Sequence, residues 1–231
     1  LMVEGRAFRG RLILAHVFLV AFIALMMVPL FMVVSISLRK GNFATGGILP
    51  TPETFSLEHW RMVLGLPVQQ ADGTWLKPTV SVLRWFGNSV RISAISAALI
   101  LALSATAAYA FARMRFAGRA RLLNALLILQ MFPMVLAIIA IYSILEALGR
   151  WVPALGLDTH PGLILAYLGG IATHIWMIKG YFDSLPPSLE ESAKIDGATP
   201  WQTFRLIMLP LSAPIFAVVF ILAFIGLIGE Y

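Results

Sequence analysis

The chain contains no cysteine, which excludes a disulfide framework, thiolate metal ligation and thiol chemistry. Charge is almost as scarce: 12% of the 231 residues are Asp, Glu, Lys or Arg, while 60% are hydrophobic. Soluble domains carry about 25% charged and 45–50% apolar residues, so a water-soluble domain does not fit this balance. No G-x-x-x-x-G-K-[ST] run is present, so the chain does not bind ATP in the P-loop manner. Paired carboxylates, a Ser/His/Asp set and metal-ligand spacings are also missing from the sequence. The chain is therefore expected to be no enzyme and to hold no cofactor or metal of its own. The formal net charge of +6 does not indicate nucleic acid. The basic residues lie beside apolar runs, where Lys and Arg set membrane orientation.

What the sequence has in quantity is long apolar segments. Mean hydropathy is +0.89, and several runs approach the about 20 residues that cross a bilayer as a helix. The expected fold class is all-α, a polytopic transmembrane helical bundle. Five spans are expected, near 12–38, 88–112, 122–148, 163–181 and from 211 onward. Pro29 is expected to kink the first span, Pro133 to break the third, and Gly169-Gly170 to permit a bend in the fourth. Ala94, Ala98, Ala102, Thr106 and Ala110 recur every four residues, a small-residue stripe on which helices approach closely in lipid. The chain begins at Leu1 and stops at Tyr231 inside an apolar run, so both ends are read as truncated.

Polar residues within the spans carry little chemistry. Asn124 and Gln130 are expected to tie helices together, and His174 to be a hydrogen-bonded packing residue. His16 and Glu230 are read as interfacial, and Lys179 as a cation that extends to the headgroups. Asn124, Gln130, Tyr142, Tyr167 and Thr173 could line a path, without any one standing out. The lack of paired ionisable groups at mid-membrane argues against an ion-coupled secondary transporter or a channel.

The first long loop, 39–87, is rich in Gly, Pro and Trp. Ser56 is placed to cap a short helix through Leu64 that Gly65 ends. Trp60, Trp75 and Trp85 suit a membrane interface. Arg113, Arg115, Arg119 and Arg121 crowd one short turn, which marks that side as cytoplasmic. The same side then holds the N-terminus and the polar loop 183–210, while 39–87 faces the periplasm.

Loop 183–210 is the most structured polar stretch. Ser188 and Glu191 have capping-box spacing after an extended Pro187, and Thr199, Pro200 and Gln202 repeat the signal. Gly197 suits the left-handed end of the first helix, and Pro210 is expected to end the second. Glu190 and Glu191 make the first helix acidic at its start, where the helix dipole favours negative charge but anionic lipid repels it. Ser192, Ala193, Gly197 and Ala198 are small enough for a close approach, and Trp201, Phe204 and Met208 form an apolar stripe. Together these features point to a protein partner rather than to lipid, and a purely structural scaffold would have no need of them.

Glu191-Ser192-Ala193, Gly197 and Ile207-Met208-Leu209-Pro210 resemble the E-A-A-x3-G-x9-I-x-L-P signature of binding-protein-dependent ABC importer permeases. Ser192 is the departure, standing where the family usually has Ala. Asn88-Ser89, Tyr109-Ala110-Phe111-Ala112-Arg113 and Gly180-Tyr181-Phe182 extend the resemblance. So do the segments 37–46, 130–133 and 217–222, which are similar to permeases of maltose/maltodextrin importers, with another oligosaccharide as the nearest rival cargo. The resemblance implies the type I importer permease fold in one permease domain over 1–231, with six spans, five of them present here. It implies a place in the bacterial inner membrane, and as partners an ATPase subunit dimer that binds ATP, a second permease and a periplasmic sugar-binding protein. The larger permease would hold most sugar contacts. By the same resemblance, loop 183–210 is a coupling element docked in the ATPase. Glu190 and Glu191 would face basic groups there, Ser192, Ala193, Gly197 and Ala198 would allow close packing, and Asp196 would stabilise the turn.

Overall fold

The structure, a computed structural model, describes residues 6–41, 49–69, 73–79, 81–132 and 134–230. Residues 1–86 and 87–231 form two compact units. In the first unit, α1 (Arg6–Ser37) carries a 28-residue apolar stretch with Pro29 inside the helix. Its apolar side chains are exposed, as expected of a span that meets lipid.

The loop after α1 holds α2 (Glu58–Val63), whose first free N–H, that of Glu58, is accepted by Ser56 Oγ at 3.2 Å. The helix starts two residues after Ser56, and Gly65 stops it at φ +74°. Gly65 N–H donates to Met62 O and Leu66 N–H to Arg61 O, the Schellman pattern that satisfies terminal carbonyls. The described residues are mostly helical, in keeping with the all-α expectation, with one small exception. Two antiparallel strands of two residues, β1 (Val68–Gln69) and β2 (Trp75–Leu76), pair in this loop. Strands this short carry no alternating pattern that a sequence reading can detect. Trp60, Trp75 and Trp85 are all exposed, and Trp60 Nε1 donates to Ser37 Oγ.

The long helix α3 (Val82–Arg113) leads into the second unit. It begins six residues before the expected span. The stripe Ala94–Ala110 does not face the interior. The buried face lies one to two residues earlier, at Ser93, Ala97, Ile100, Ser104 and Ala108. α3 carries small residues on two adjacent faces, and serine lets the backbones approach as closely as alanine does. Ser104 Oγ bonds the Ile171 carbonyl across that face. On the outward face, Thr106 returns its hydroxyl to the carbonyls of Ala102 and Leu103.

The expected third span is divided into α4 (Arg119–Gln130) and α5 (Met134–Trp151). Pro133, the expected break, lies outside the described residues between them, as do 42–46 of the family resemblance. The fourth span is α6 (His160–Tyr167) and α7 (Ile171–Ser184), with a 3-10 turn at Leu168–Gly170 where the glycine pair stands. Lys179 does not extend away alone: it pairs with Asp183 at 2.5 Å, one turn along α7.

The α5–α6 corner depends on glycine. A Cβ on Gly162 would lie 2.2 Å from Gly156 O, and one on Gly149 would lie 2.8 Å from Gly156 Cα. Thr159 caps α6 there by accepting from Gly162 N–H at 3.1 Å.

The remaining elements are α8 (Ser188–Ile195), α9 (Pro200–Thr203), a π-turn at Phe204–Met208, α10 (Leu209–Leu211) and α11 (Ala213–Ile228). Pro210 does not end the helical path, because it occupies the first turn of α10, where its missing N–H costs nothing. The chain turns by 76° at Ser212 instead. The core of this unit joins Ala108, Tyr109, Ile178, Phe182, Phe204, Met208 and Val219 from α3, α7, the π-turn and α11. Among the described residues, three segments are long and apolar enough to cross a membrane, or four if the bent Pro200–Ile228 pair is one span.

Candidate coupling surface and membrane cavity

α8 starts differently from the expected capping box. Pro187 is already helical at φ −60° and ψ −26°, and Ser188 makes no capping hydrogen bond. Pro187 O accepts the N–H groups of Glu190 and Glu191, so proline's fixed φ starts the turn that Ser188 was expected to cap. The helix ends as expected. Gly197 sits at φ +82°, and Gly197 N–H to Lys194 O with Ala198 N–H to Ala193 O completes a second Schellman pattern. The second capping box forms: Thr199 N–H donates to Gln202 Oε1 at 2.8 Å and Gln202 N–H to Thr199 Oγ1 at 3.3 Å.

Helical periodicity divides the candidate residues between two faces. Ser188, Glu191, Ser192 and Ile195 are exposed, whereas Leu189, Glu190 and Ala193 turn inward. Ala193 is buried, so its small size serves packing within the chain. A Cβ built on Gly197 meets nothing within 4 Å, which leaves open space outside the turn. Asp196 is exposed as the last residue before it, and Ala198 is half-buried.

The expected apolar stripe is also divided. Phe204 and Met208 are core residues, and only Trp201 is exposed. Rings pass from the interior to the surface in the order Phe182, Tyr109, Phe204, Trp201, with centroids 6.1, 4.9 and 5.5 Å apart. Ile195 at 85% exposure and Leu206 at 67% join Trp201 as the outward apolar residues of the loop. Ile195 escaped the sequence reading, although its place four residues after Glu191 puts both on one helix face.

Glu190 is paired inside the chain. Its Oε1 lies 2.7 Å from Arg113 Nε. Burial raises the Glu190 carboxyl above its ordinary value, outweighing the lowering by the Arg113 charge and contact. In the sequence Arg113 stands at the end of a span, as a topology signal and as part of a segment that extends the family resemblance, with no sign of this pairing. A cleft of about 690 Å³ opens beside the pair, lined by Arg115, Arg119, Glu191 and Lys194 among others.

A second cavity, about 580 Å³, lies among α3, α4, α5, α6, α7 and α11. Gln130, Tyr167, Thr173, His174 and Glu230 supply its polar groups within an otherwise mostly apolar wall. Gln130 donates to Thr173 Oγ1, the helix-to-helix tie expected of an amide in a span. His174 Nδ1 contacts Gly170 O at 3.3 Å. Asn124 and Tyr142 are exposed and do not line this cavity.

With this geometry in place, comparison with known proteins is direct. Residues 100–231 match the model of the family described as binding-protein-dependent transport system inner membrane component. The chain is 55% identical over 229 residues to the maltose/maltodextrin transport system permease protein MalG of Vibrio parahaemolyticus, covering 99% of this chain and 77% of that protein. The like-named protein of Escherichia coli is 56% identical over the same shares. Among solved structures, a bacterial ABC transporter involved in import of the acidic polysaccharide alginate superposes with a TM-score of 0.71 at 22% identity. That superposition covers 98% of this chain and 73% of the other, and it shows a common fold. The chain belongs to the family of binding-protein-dependent transport system inner membrane components.

Proposed function

We propose that the chain is the smaller permease subunit of an ATP-driven maltose/maltodextrin importer in the bacterial inner membrane. The observation that carries this reading is the match to maltose/maltodextrin permeases along 99% of the chain. In this reading loop 183–210 lies in the cytoplasm with the N-terminus, and 39–87 in the periplasm. The arginine cluster at 113–121 supports that orientation.

α8 is the element that docks on a separate ATPase subunit. Ser188, Glu191, Ser192, Lys194, Ile195, Asp196 and Gly197 are the exposed residues of α8 and its end, while Ala193 and Glu190 set its seat on the permease. An acidic group beside an exposed isoleucine suits a partner cleft with a basic rim and an apolar floor. A second permease and a periplasmic sugar-binding protein complete the assembly, and ATP-driven closure of the ATPase pair moves the permeases.

The test is to assemble the chain with a candidate ATPase, second permease and binding protein in membranes, then measure ATP hydrolysis with and without maltose. Stimulation by maltose and maltodextrin is expected. Hydrolysis that responds only to an unrelated sugar would reassign the cargo, and the absence of ATPase from the purified complex would remove the docking role.

A further inference from the structure

The last turn of α3 performs a task outside the docking surface. Arg113 Nη2 donates to the carbonyls of Phe182 at 2.8 Å and Leu185 at 2.9 Å. The Arg113–Glu190 pair, with side chains 14% and 21% exposed, joins the same guanidinium to α8.

The sequence explains why the end of α7 is open to this donor. The α-helical partner of the 182 carbonyl would be the N–H of residue 186, but 186 and 187 are both proline and have none. Leu185 N–H closes a tighter turn on Phe182 O at 3.1 Å, and Arg113 adds a second donor there and bonds Leu185 O. Leu185 is extended at ψ 138°, as the residue before a proline is expected to be. A cation at a helix C-terminus is also favoured by the helix dipole. One turn earlier on α3, Tyr109 Oη reaches Pro200 O at 3.4 Å, and its ring packs on Phe182 and Phe204. The end of α3 therefore holds the start of α8 through Arg113 and the start of α9 through Tyr109.

We propose that Arg113 is a positioning residue of the coupling machinery. It is a three-way clamp that locks α8 to the ends of α3 and α7, so that displacement of a docked α8 moves those helices instead of being absorbed by the loop. The clamp rests on the docking role given above for α8. A planar guanidinium suits it, because several acceptors can be held in fixed directions at once. Its two connections are separable. Glu190→Gln removes the charge link to α8 and leaves the α7 carbonyls bonded to Arg113.

The experiment uses the whole importer in proteoliposomes, with ATP hydrolysis and labelled maltose uptake measured in the same vesicles. In complexes that retain their ATPase, Glu190→Gln is expected to lower uptake per ATP hydrolysed by about tenfold, because the neutral amide loses the charge attraction that fixes α8 on Arg113, whatever overall stability it gains by removing a partly buried charge. Arg113→Lys keeps a charge but loses the planar fork, and a smaller loss is expected. A generic stability defect would lower both rates together and leave their ratio unchanged. An unchanged ratio in both variants overturns the clamp alone. A parent complex without ATPase association overturns the docking role and the clamp with it.

Discussion

Gly197 combines two demands that substitution can separate. Its φ of +82° is a conformation that L-residues adopt at a cost, about 1–2 kcal/mol for a residue with Cβ. The space outside it is empty, so an added side chain meets no atom of the chain. Gly197→Ala therefore pays strain without a clash within the chain. A cost of 1–2 kcal/mol is a factor of about 5–30 in the equilibrium that closes the end of α8. Asn adopts the left-handed region far more readily, so Gly197→Asn avoids most of the strain while projecting a larger group into the open space. If a partner surface closes on that space, Gly197→Asn must uncouple transport although its thermal unfolding temperature stays near that of the parent. Gly197→Ala must unfold at a lower temperature and keep more coupling than the Asn variant. The assay is maltose-stimulated ATP hydrolysis and uptake in the assembled importer, with unfolding followed in detergent. Parental transport in Gly197→Asn would refute the docking argument and leave the glycine a purely conformational role.

Ala193→Leu should destabilise the chain by about 1–3 kcal/mol, since a larger side chain must enter a filled site on the inner face of α8; thermal unfolding and protease sensitivity of loop 183–210 measure it. Gly162→Ala should cost at least about 3 kcal/mol, the upper end of overpacking, because its Cβ would lie 2.2 Å from a backbone oxygen. Gly169→Ala, with nothing within 4 Å, should stay within about 0.5 kcal/mol of the parent in the same unfolding assay. Glu190 gives a pH dependence. Its folded pKa is raised, so its contribution to stability is present below the unfolded value and lost as pH rises through the raised folded value. Glu190→Gln should therefore unfold at a higher temperature than the parent at neutral pH, and that advantage should shrink as the pH falls toward the carboxylate range. Arg113, Arg115, Arg119, Glu191, Lys194 and Tyr109 line the same cleft, so a parallel series with Glu191→Gln separates the two carboxyls.

Local backbone chemistry was the part of both polar loops, 39–87 and 183–210, that the sequence made legible. Gly197 ends α8, Thr199 and Gln202 form their box, and Gly65 ends α2, because each signal acts within one turn. The same rules failed where a stronger local constraint competed. Proline's fixed φ at 187 displaced Ser188 from the cap, and Pro210 was absorbed into a first helical turn while the bend fell on Ser212. Faces were harder to assign than ends. The four-residue recurrence from Ala94 to Ala110 is real, but the serine-containing row beside it packs just as closely and is the buried one. Contacts across the chain left almost no trace. Arg113 reaches residues 69, 72 and 77 positions away, and in the sequence it is one of four arginines with an adequate topological reason to be there.

The geometry also accounts for the one departure from the family signature. Of the two small residues after Glu191, only Ala193 is buried; Ser192 is exposed on the outer face of α8. A hydroxyl at 193 would need a hydrogen-bond partner in a packed site, at a cost of about 1–3 kcal/mol if it found none. At 192 the same hydroxyl meets solvent or the edge of a partner and incurs no such penalty. Two adjacent positions in the signature therefore obey different constraints. Exchanging the pair, as Ser192→Ala with Ala193→Ser, should weaken the seating of α8 while leaving its outward surface as small as before. Uptake and ATPase retention in the assembled importer would separate the two effects. If the exchange leaves both the unfolding temperature and uptake unchanged, the inward assignment of Ala193 is wrong.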